Sequence, residues 1–241
     1  MFPAYAGVHA GILARDRSHE WRSVNLDDGT DLSIWRQFDR TQRNSIQPFT
    51  GTTRYIPDGN RTLYAPDLEI TNTGYVKWPS AMSVLVPPPS PNRWMASEHT
   101  LRVPSMDLEL RCVPFVQSPA HALPIEYMIG PVRWEGTLAG KPIAGVGFSE
   151  RTLALYRNWE LADVLRATVS GLPAEAFNAS SPTPAALTDM VDAALSGAER
   201  GDWVGVLTQC QTQLESAVAT LNPPFRDQLT TLLADLAKAP S

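Results

Sequence analysis

Aromatic residues alternate with carboxylates in several segments that have the composition of β-strands. A carboxylic acid inside an aromatic-lined cavity loses hydration, so its pKa rises and it can donate a proton near neutral pH. Such an acid can protonate an alkene or polarise a carbonyl group. The aromatic residues are Trp21, Trp35, Trp78, Trp94, Tyr127 and Trp134, and the acids are Glu20, Glu126, Glu135 and Glu150.

We expect Glu135 or Glu150 to be the catalytic acid. Neighbouring residues of a strand point to opposite faces, so Trp134 and Glu135 cannot both line one lumen. The competing interpretation is structural: the aromatics form an ordinary core, and the glutamates pair with arginines such as Arg133 and Arg151 at a barrel rim. His19 has a similarly simple alternative as a solvated strand start. The residues expected to shape the substrate pocket are Trp21, Trp78, Trp94, Tyr127 and Trp134.

The sequence offers little support for a metal or a cofactor. No two histidines stand at ligand spacing, and no cysteine cluster lies near them. A glycine-rich phosphate loop, a dinucleotide fingerprint and a nucleophile elbow are all missing from the sequence. The two cysteines, Cys112 and Cys210, lie far apart, which predicts free thiols rather than a disulfide. We therefore expect no cofactor and no metal.

Length and composition exclude several classes of partner. The chain has 241 residues, of which 43% are hydrophobic, and a formal net charge of -5. It lacks the basic field that attracts nucleic acids and the cationic stripe that binds anionic membranes. No apolar run reaches membrane-spanning length, and Met1–Leu13 does not resemble a signal peptide. We expect a cytoplasmic protein that binds an apolar small molecule.

Short β-type runs, separated by Pro, Gly and Asp, follow one another to about residue 156. The clearest pair is Glu20–Leu26 and Asp31–Gln37, joined by a turn at Asp28-Gly29 that is typical of a hairpin. Many short strands without interleaved helices favour a mainly β fold, an antiparallel up-and-down barrel, over a parallel α/β fold. The other predicted strands are 50–55, 62–70, 75–78, 82–86, 98–103, 107–113, 132–138 and 141–151.

Helical periodicity replaces this pattern in the last third of the chain. Leu155–Leu165 is predicted to be a closing helix, and Pro173–Pro184 is a linker rich in Pro, Ala and Ser. Apolar stripes behind the linker predict helices over 185–197, 203–221 and 224–237. Such stripes ordinarily mean packing. The expected domains are a barrel over 1–156, a closing helix and linker over 157–184, and a helical tail over 185–241.

Six short segments, taken together and in order, resemble the second half of the AttH/CrtC-like family. This family includes bacterial carotenoid hydratases and is similar to fungal hydratases and decalin-forming pericyclases. The resemblance covers about residues 18–152. The segments are Trp21–Leu32, Pro57-Asp58-Gly59, Trp78-Pro79-Ser80, Trp94 followed by Leu101-Arg102-Val103-Pro104, Trp134-Glu135-Gly136, and Gly145–Glu150.

The resemblance implies a lipocalin-like (calycin-like) barrel, an apolar ligand held near it and no cofactor. Family members have two such barrels in tandem, whereas the resemblance here covers the second barrel alone. Two copies of the chain would then associate as a homodimer to replace the first barrel, or catalysis would be lost. The end of the last strand also departs from the family pattern. At that place this chain has Glu150-Arg151-Thr152-Leu153.

Three functions stay open at this point. The first is a cofactor-independent lyase or isomerase, hydratase-like or pericyclase-like, acting on an apolar isoprenoid or polyketide. The second is a non-catalytic binding protein for a lipid or terpenoid, which needs the pocket but no ionisable group. The third is an interaction scaffold that uses the helical tail, which an exposed leucine stripe on the tail would favour.

Overall fold

A computed structural model describes residues 17–39, 45–46, 50–56, 61–79, 92–116, 120–122, 126–152 and 154–239 of the chain. The described residues divide into two compact units. The sheet unit lies within 1–72, 78–89 and 95–154, and the helical unit comprises 73–77, 90–94 and 155–241. The predicted strand over 82–86 lies outside the described residues.

The strands form one antiparallel sheet that curls into a half-barrel, so the predicted mainly β fold is confirmed. The order of the nine strands along the sheet is β5-β4-β2-β1-β11-β10-β8-β7-β6, while the short β3 pairs with β2 and β9 with β10. The bounds are β1 Arg17–Leu26, β2 Asp31–Asp39, β3 Ser45–Ile46, β4 Gly51–Ile56, β5 Arg61–Ala65, β6 Glu69–Lys77, β7 Trp94–Val103, β8 Leu108–Pro114, β9 Ala120–Ala122, β10 Glu126–Leu138 and β11 Lys141–Thr152.

The predicted hairpin between β1 and β2 is confirmed. Its register runs from Arg17 opposite Asp39 to Asn25 opposite Asp31. Gly29 has a φ of 82°, a conformation that costs glycine little. The Asp28 carboxylate accepts a hydrogen bond of 2.8 Å from the backbone N–H of Thr30, which closes the turn. The strands on either side therefore start in a defined register.

Several strand boundaries differ from the prediction, and the run 75–78 is the end of β6 rather than a strand of its own. The run 62–70 is two strands, because Pro66 has no N–H to donate to a ladder and the chain breaks there. The strand β7 begins at Trp94, and β10 begins at Glu126, both earlier than predicted. Their first residues lack a regular alternation of polar and apolar side chains, so the periodicity of the sequence did not predict them as parts of strands.

The inner face of the sheet unit carries its apolar core. Side chains of β1 and β2 such as Val24 and Ile34 are fully buried there. They pack with Leu101, Leu110 and Trp134 from the other half of the sheet. Burial of this set stabilises the fold at about 25 cal/mol for each Å² of apolar surface. The core therefore occupies inner-face positions that the sequence analysis had considered as part of a ligand lumen.

The helical unit has a core of its own. The leucine stripes of the tail are buried, with Leu187, Leu229 and Leu232 fully inaccessible. Beside them the Asp235 carboxylate lies 2.7 Å from Lys77 Nζ and accepts a 2.9 Å hydrogen bond from Trp94 Nε1. The helices are α1 Asn158–Ser170, α2 Pro184–Leu195, α3 Trp203–Gln209 continued by a π-helical turn over Cys210–Leu214, α4 Glu215–Val218 and α5 Phe225–Leu236.

The burial of these stripes explains the apolar periodicity of the tail as internal packing. It therefore removes the feature that would have favoured a scaffold function. Among the helices that the structure describes, none combines the length and the apolar character required to cross a membrane.

Candidate functional site

The register of three strands brings polar and aromatic side chains together on the outer face of the sheet. Trp21 of β1 lies opposite Trp35 of β2 on one side and opposite Glu150 of β11 on the other. His19 precedes Trp21 by two residues and shares its face, because side chains alternate along a strand. Tyr127 of β10 lies opposite Thr152, two residues beyond Glu150.

Glu150 is held from two sides. His19 Nε2 lies 3.0 Å from Glu150 Oε1, and the Tyr127 hydroxyl donates a 2.9 Å hydrogen bond to Glu150 Oε2. The side chains of His19 and Glu150 are 27% and 15% exposed, so both can be reached from solvent. Among the residues that the structure describes, no second side chain bonds to the His19 ring. Glu150 therefore orients one nitrogen of the imidazole.

Tyr127 donates a hydrogen bond in this cluster and stays protonated at neutral pH. Burial, together with the hydrogen bond to Glu150 and its charge, raises the pKa of Tyr127 to about 12. The phenol therefore keeps donating to Glu150 throughout the physiological range. We call His19, Glu150 and Tyr127 the acid–base cluster.

An aromatic row extends from the acid–base cluster across the sheet. The Trp35 ring centroid lies 5.7 Å from that of His19 and 6.2 Å from that of Trp21. Beyond Trp35 the strand β4 has Gly51, where an added Cβ would lie 2.5 Å from Tyr64 Oη. The absence of a side chain at Gly51 thus lets the Tyr64 ring continue the row.

The aromatic row, defined as Trp21, Trp35 and Tyr64, is accessible to an apolar molecule. Trp35 is 42% exposed and Tyr64 60%, while Phe148 on the same face of β11 is 49% exposed. Large apolar side chains exposed side by side on a sheet commonly mark a binding surface. The indole of Trp21 donates to Ser33 Oγ at 3.2 Å, which fixes its orientation.

A titration of the Tyr127 phenol tests this geometry. The pKa of about 12, against an ordinary value of 10, means that the stabilising contribution of the phenol is complete below pH 10. That contribution is lost as the pH rises toward 12. The ultraviolet difference titration of wild type minus Tyr127→Phe should show this late transition. In Glu150→Gln the pKa should fall only part of the way, because burial remains; an unchanged pKa would contradict the observed hydrogen bond.

The inner face below the acid–base cluster carries a different group of charges. Glu20 is fully buried, and its carboxylate accepts hydrogen bonds from Arg22 Nη2 at 2.9 Å and Arg36 Nε at 2.9 Å. Arg151 Nη1 bonds to the other oxygen of the same carboxylate. Arg22 Nε donates to His99 Nε2 at 2.6 Å. We call these five residues the inner charge cluster.

Burial dominates the electrostatics of the inner charge cluster. It lowers the pKa of Arg22 to about 9, helped by the charge of Arg36. Burial, followed by the charges of Arg22 and Arg36, also holds the pKa of His99 well below its ordinary range. A neutral His99 accepts from Arg22, and its ring edge contacts Trp134 with centroids 5.5 Å apart.

The structure gathers three of the predicted site residues and separates the others. Trp21, Tyr127 and Glu150 meet on the outer face. Glu135 lies on the same face but pairs with Arg133 at 2.7 Å, and its side chain is 48% exposed. It lies six residues further along the ladder than Glu150, about 20 Å at the rise of a strand. The remaining tryptophans of the predicted pocket, Trp78, Trp94 and Trp134, are buried.

Three members of the outer-face site were not chosen from the sequence, namely His19, Trp35 and Tyr64. His19 had the interpretation of a solvated strand start, and Trp35 was noted as an aromatic but not assigned to the pocket. The spacing of His19 and Trp21 was a usable signal, since residues two apart share one face of a strand. Within the described residues no group of three or more His, Cys, Asp or Glu side chains could hold a metal ion.

The known proteins that resemble this chain do so at low sequence identity. No family model matches the chain, and curated proteins give no significant match. One similar solved structure is kievitone hydratase from Nectria haematococca, with 15% identity, a TM-score of 0.45, and coverage of 56% of this chain and 39% of that one. Another is an AttH protein from Nitrosomonas europaea, with 17% identity, a TM-score of 0.43, and coverage of 56% and 38%.

An AttH protein is thus among the solved structures that this chain resembles, as the sequence motifs predict. The chain spans less than two fifths of the length of each of these structures. At these identities the similarity concerns the fold, so any activity has to be argued from the side chains of this chain.

Proposed function

We propose that this protein is a cofactor-independent, hydratase-like lyase or isomerase that acts on an apolar isoprenoid or polyketide. The observation that carries the proposal is Glu150, clamped between His19 and Tyr127 at the end of an exposed aromatic row. A pure binding surface does not need an accessible carboxylate–imidazole pair beside its apolar part. A proton-transfer site needs an accessible acid or base beside the place where the substrate binds.

The Glu150–His19 pair supplies the acid and the base. When the pair carries a proton, it donates that proton to one carbon of an alkene, and the positive charge develops on the other carbon. A water molecule then adds to this carbon and returns a proton to the pair. Loss of water follows the same steps in reverse. Tyr127 holds the second oxygen of Glu150, which keeps the pair oriented during both steps.

The aromatic row supplies binding energy and charge stabilisation. An aromatic face within about 6 Å of a cation stabilises it by roughly 0.5–2 kcal/mol. The path from Tyr64 along the row to Glu150 runs from β5 to β11, which is four strand spacings. At about 4.8 Å for each spacing, its length is about 19 Å. An elongated apolar chain could therefore lie across the strands with its reactive end at Glu150.

Binding of isoprenoid alcohols and hydrocarbons to the purified protein, followed by tryptophan fluorescence and product analysis, tests this site. Trp35→Ala should raise the dissociation constant about tenfold, because roughly 1.5 kcal/mol of apolar contact is removed. Val204→Ala, an exposed apolar position of the helical unit, serves as the matched control and should bind as wild type.

An unchanged dissociation constant in Trp35→Ala would show that the ligand does not bind at the outer face. Tight binding without any product, from a panel of prenyl and polyketide polyenes, would favour the non-catalytic binding protein. The homodimer predicted from the sequence stays a prediction, and light scattering of the purified protein measures it.

A further inference from the structure

At one level of the sheet, three adjacent strands each place two consecutive residues on opposite faces, one on the outer face and one on the inner face. In β1, Glu20 lies between His19 and Trp21; in β2, Arg36 follows Trp35; in β11, Arg151 follows Glu150. The inner pairs are Glu20 opposite Arg36 and Glu20 opposite Arg151. Four outer residues of the proposed site are thus one residue away from a member of the inner charge cluster, namely His19, Trp21, Trp35 and Glu150.

The carboxylate of Glu20 joins these three strands. Its Oε2 receives Arg22 Nη2 at 2.9 Å and Arg36 Nη2 at 2.8 Å, and its Oε1 receives Arg151 Nη1. Charge-assisted bonds from a planar guanidinium fix both distance and direction. With Glu20 completely buried, water does not compete for these bonds. The relative height of β2, β1 and β11 is therefore tied to one carboxylate.

We propose that Glu20 is a positioning residue that sets the geometry of the acid–base cluster on the opposite face of the sheet. The inference rests on the proposed function, since it assigns Glu20 a role in that same site. A one-residue slip of β11 against β1 would turn Glu150 inward and Arg151 outward. The Glu20–Arg151 bond opposes this slip, because it exists in one register only.

A merely structural role would give a different pattern. Buried ion pairs often add little stability compared with apolar residues of the same size, and their best attested use is to specify register. The sheet unit also has an extensive apolar core at other inner positions. If Glu20 only stabilised the fold, its substitution would have the same effect as the substitution of any core residue that lowers the free energy of unfolding by a similar amount. A positioning role predicts a specific change at Tyr127 and at the Trp21–Trp35 pair.

Glu20→Gln, which keeps the shape and removes the charge, is compared with Leu101→Ala, a fully buried core position of β7. The first readout is the pKa of Tyr127, which should fall from about 12 toward its ordinary value of 10 in Glu20→Gln. The second is the exciton feature of the Trp21–Trp35 pair in far-ultraviolet circular dichroism, identified by its loss in Trp35→Phe. It should weaken in Glu20→Gln. Leu101→Ala should leave both readouts as in wild type, even at a similar loss of Tm.

Glu20→Asp keeps the charge and should restore part of both signals. If Glu20→Gln does not fold, Arg151→Lys replaces it, because lysine keeps the positive charge without the planar fork. It should shift the Tyr127 pKa in the same direction. The proposal is overturned if the substituted protein keeps the wild-type Tyr127 pKa and exciton feature while its Tm falls.

Neither readout requires a substrate. A shifted Tyr127 pKa in a protein that converts no polyene would therefore support the positioning role while the proposed function fails. Normal turnover in Glu20→Gln would overturn the positioning role while the function stands.

Discussion

Glu150→Gln is expected to lower turnover of the apolar substrate by about two to four orders of magnitude, the usual contribution of a positioned acid or base. Glutamine has nearly the same shape, and its amide can still contact His19 and Tyr127. It cannot share a proton with the imidazole or stabilise its charged form. Affinity should hardly change, because it comes from apolar area on the aromatic row.

Two further variants give this experiment its control. Glu109→Gln alters an exposed carboxylate of β8 and should turn over substrate as wild type does. Glu135→Gln removes the second acid that the sequence suggested, which is ion-paired to Arg133 far along the sheet. We expect Glu135→Gln to retain most of the activity. Loss of turnover in Glu135→Gln with full activity in Glu150→Gln would place the acid at the other end of the ladder.

Trp134→Ala is expected to destabilise the protein by about 3–5 kcal/mol, the usual cost of truncating a large aromatic in a core. Trp134 is fully buried, contacts His99 edge to face and lies opposite Cys112 and Gly145. Its removal leaves a cavity that the strands cannot close by a small shift. Denaturant unfolding followed by circular dichroism measures the loss.

Trp35→Ala is the matched control for this comparison, because it removes the same side chain from the outer face, where Trp35 is 42% exposed. A surface substitution of this kind should change the free energy of unfolding by roughly 0.5 kcal/mol or less. Equal losses in the two variants would contradict the assignment of Trp134 to the core and Trp35 to the binding surface.

Much of the fold follows from local patterns in the sequence. The Asp28-Gly29 turn between two alternating runs predicts the hairpin, and the alternation itself assigns Glu20 and Arg22 to one face and Trp21 to the other. The three predicted tail helices lie close to the observed ones, since each has an apolar stripe at helical spacing. These features depend on residues near each other in the chain.

The site depends on a register that local patterns do not contain. His19 and Glu150 are separated by 131 positions, and they meet because β1 pairs with β11 rather than with another strand. The same pairing brings Arg151 to Glu20 inside the sheet. A buried carboxylate with three arginine partners has no spacing signature in the sequence. The sequence named Arg151 as a candidate partner of the glutamates, but it did not predict that Arg151, Arg22 and Arg36 meet Glu20 inside the sheet.

The transfer of solvent hydrogen to carbon is the most direct measure of acid–base catalysis at Glu150 and His19. Wild-type protein is incubated with a candidate isoprenoid in deuterated water, and the purified product is analysed by mass spectrometry and NMR. We expect one carbon-bound deuterium in each product molecule formed by wild type, and product formation that falls with Glu150→Gln. A product that forms at the wild-type rate without carbon-bound deuterium would contradict acid–base catalysis at Glu150 and His19, since the reaction would then depend on the shape of the binding surface alone.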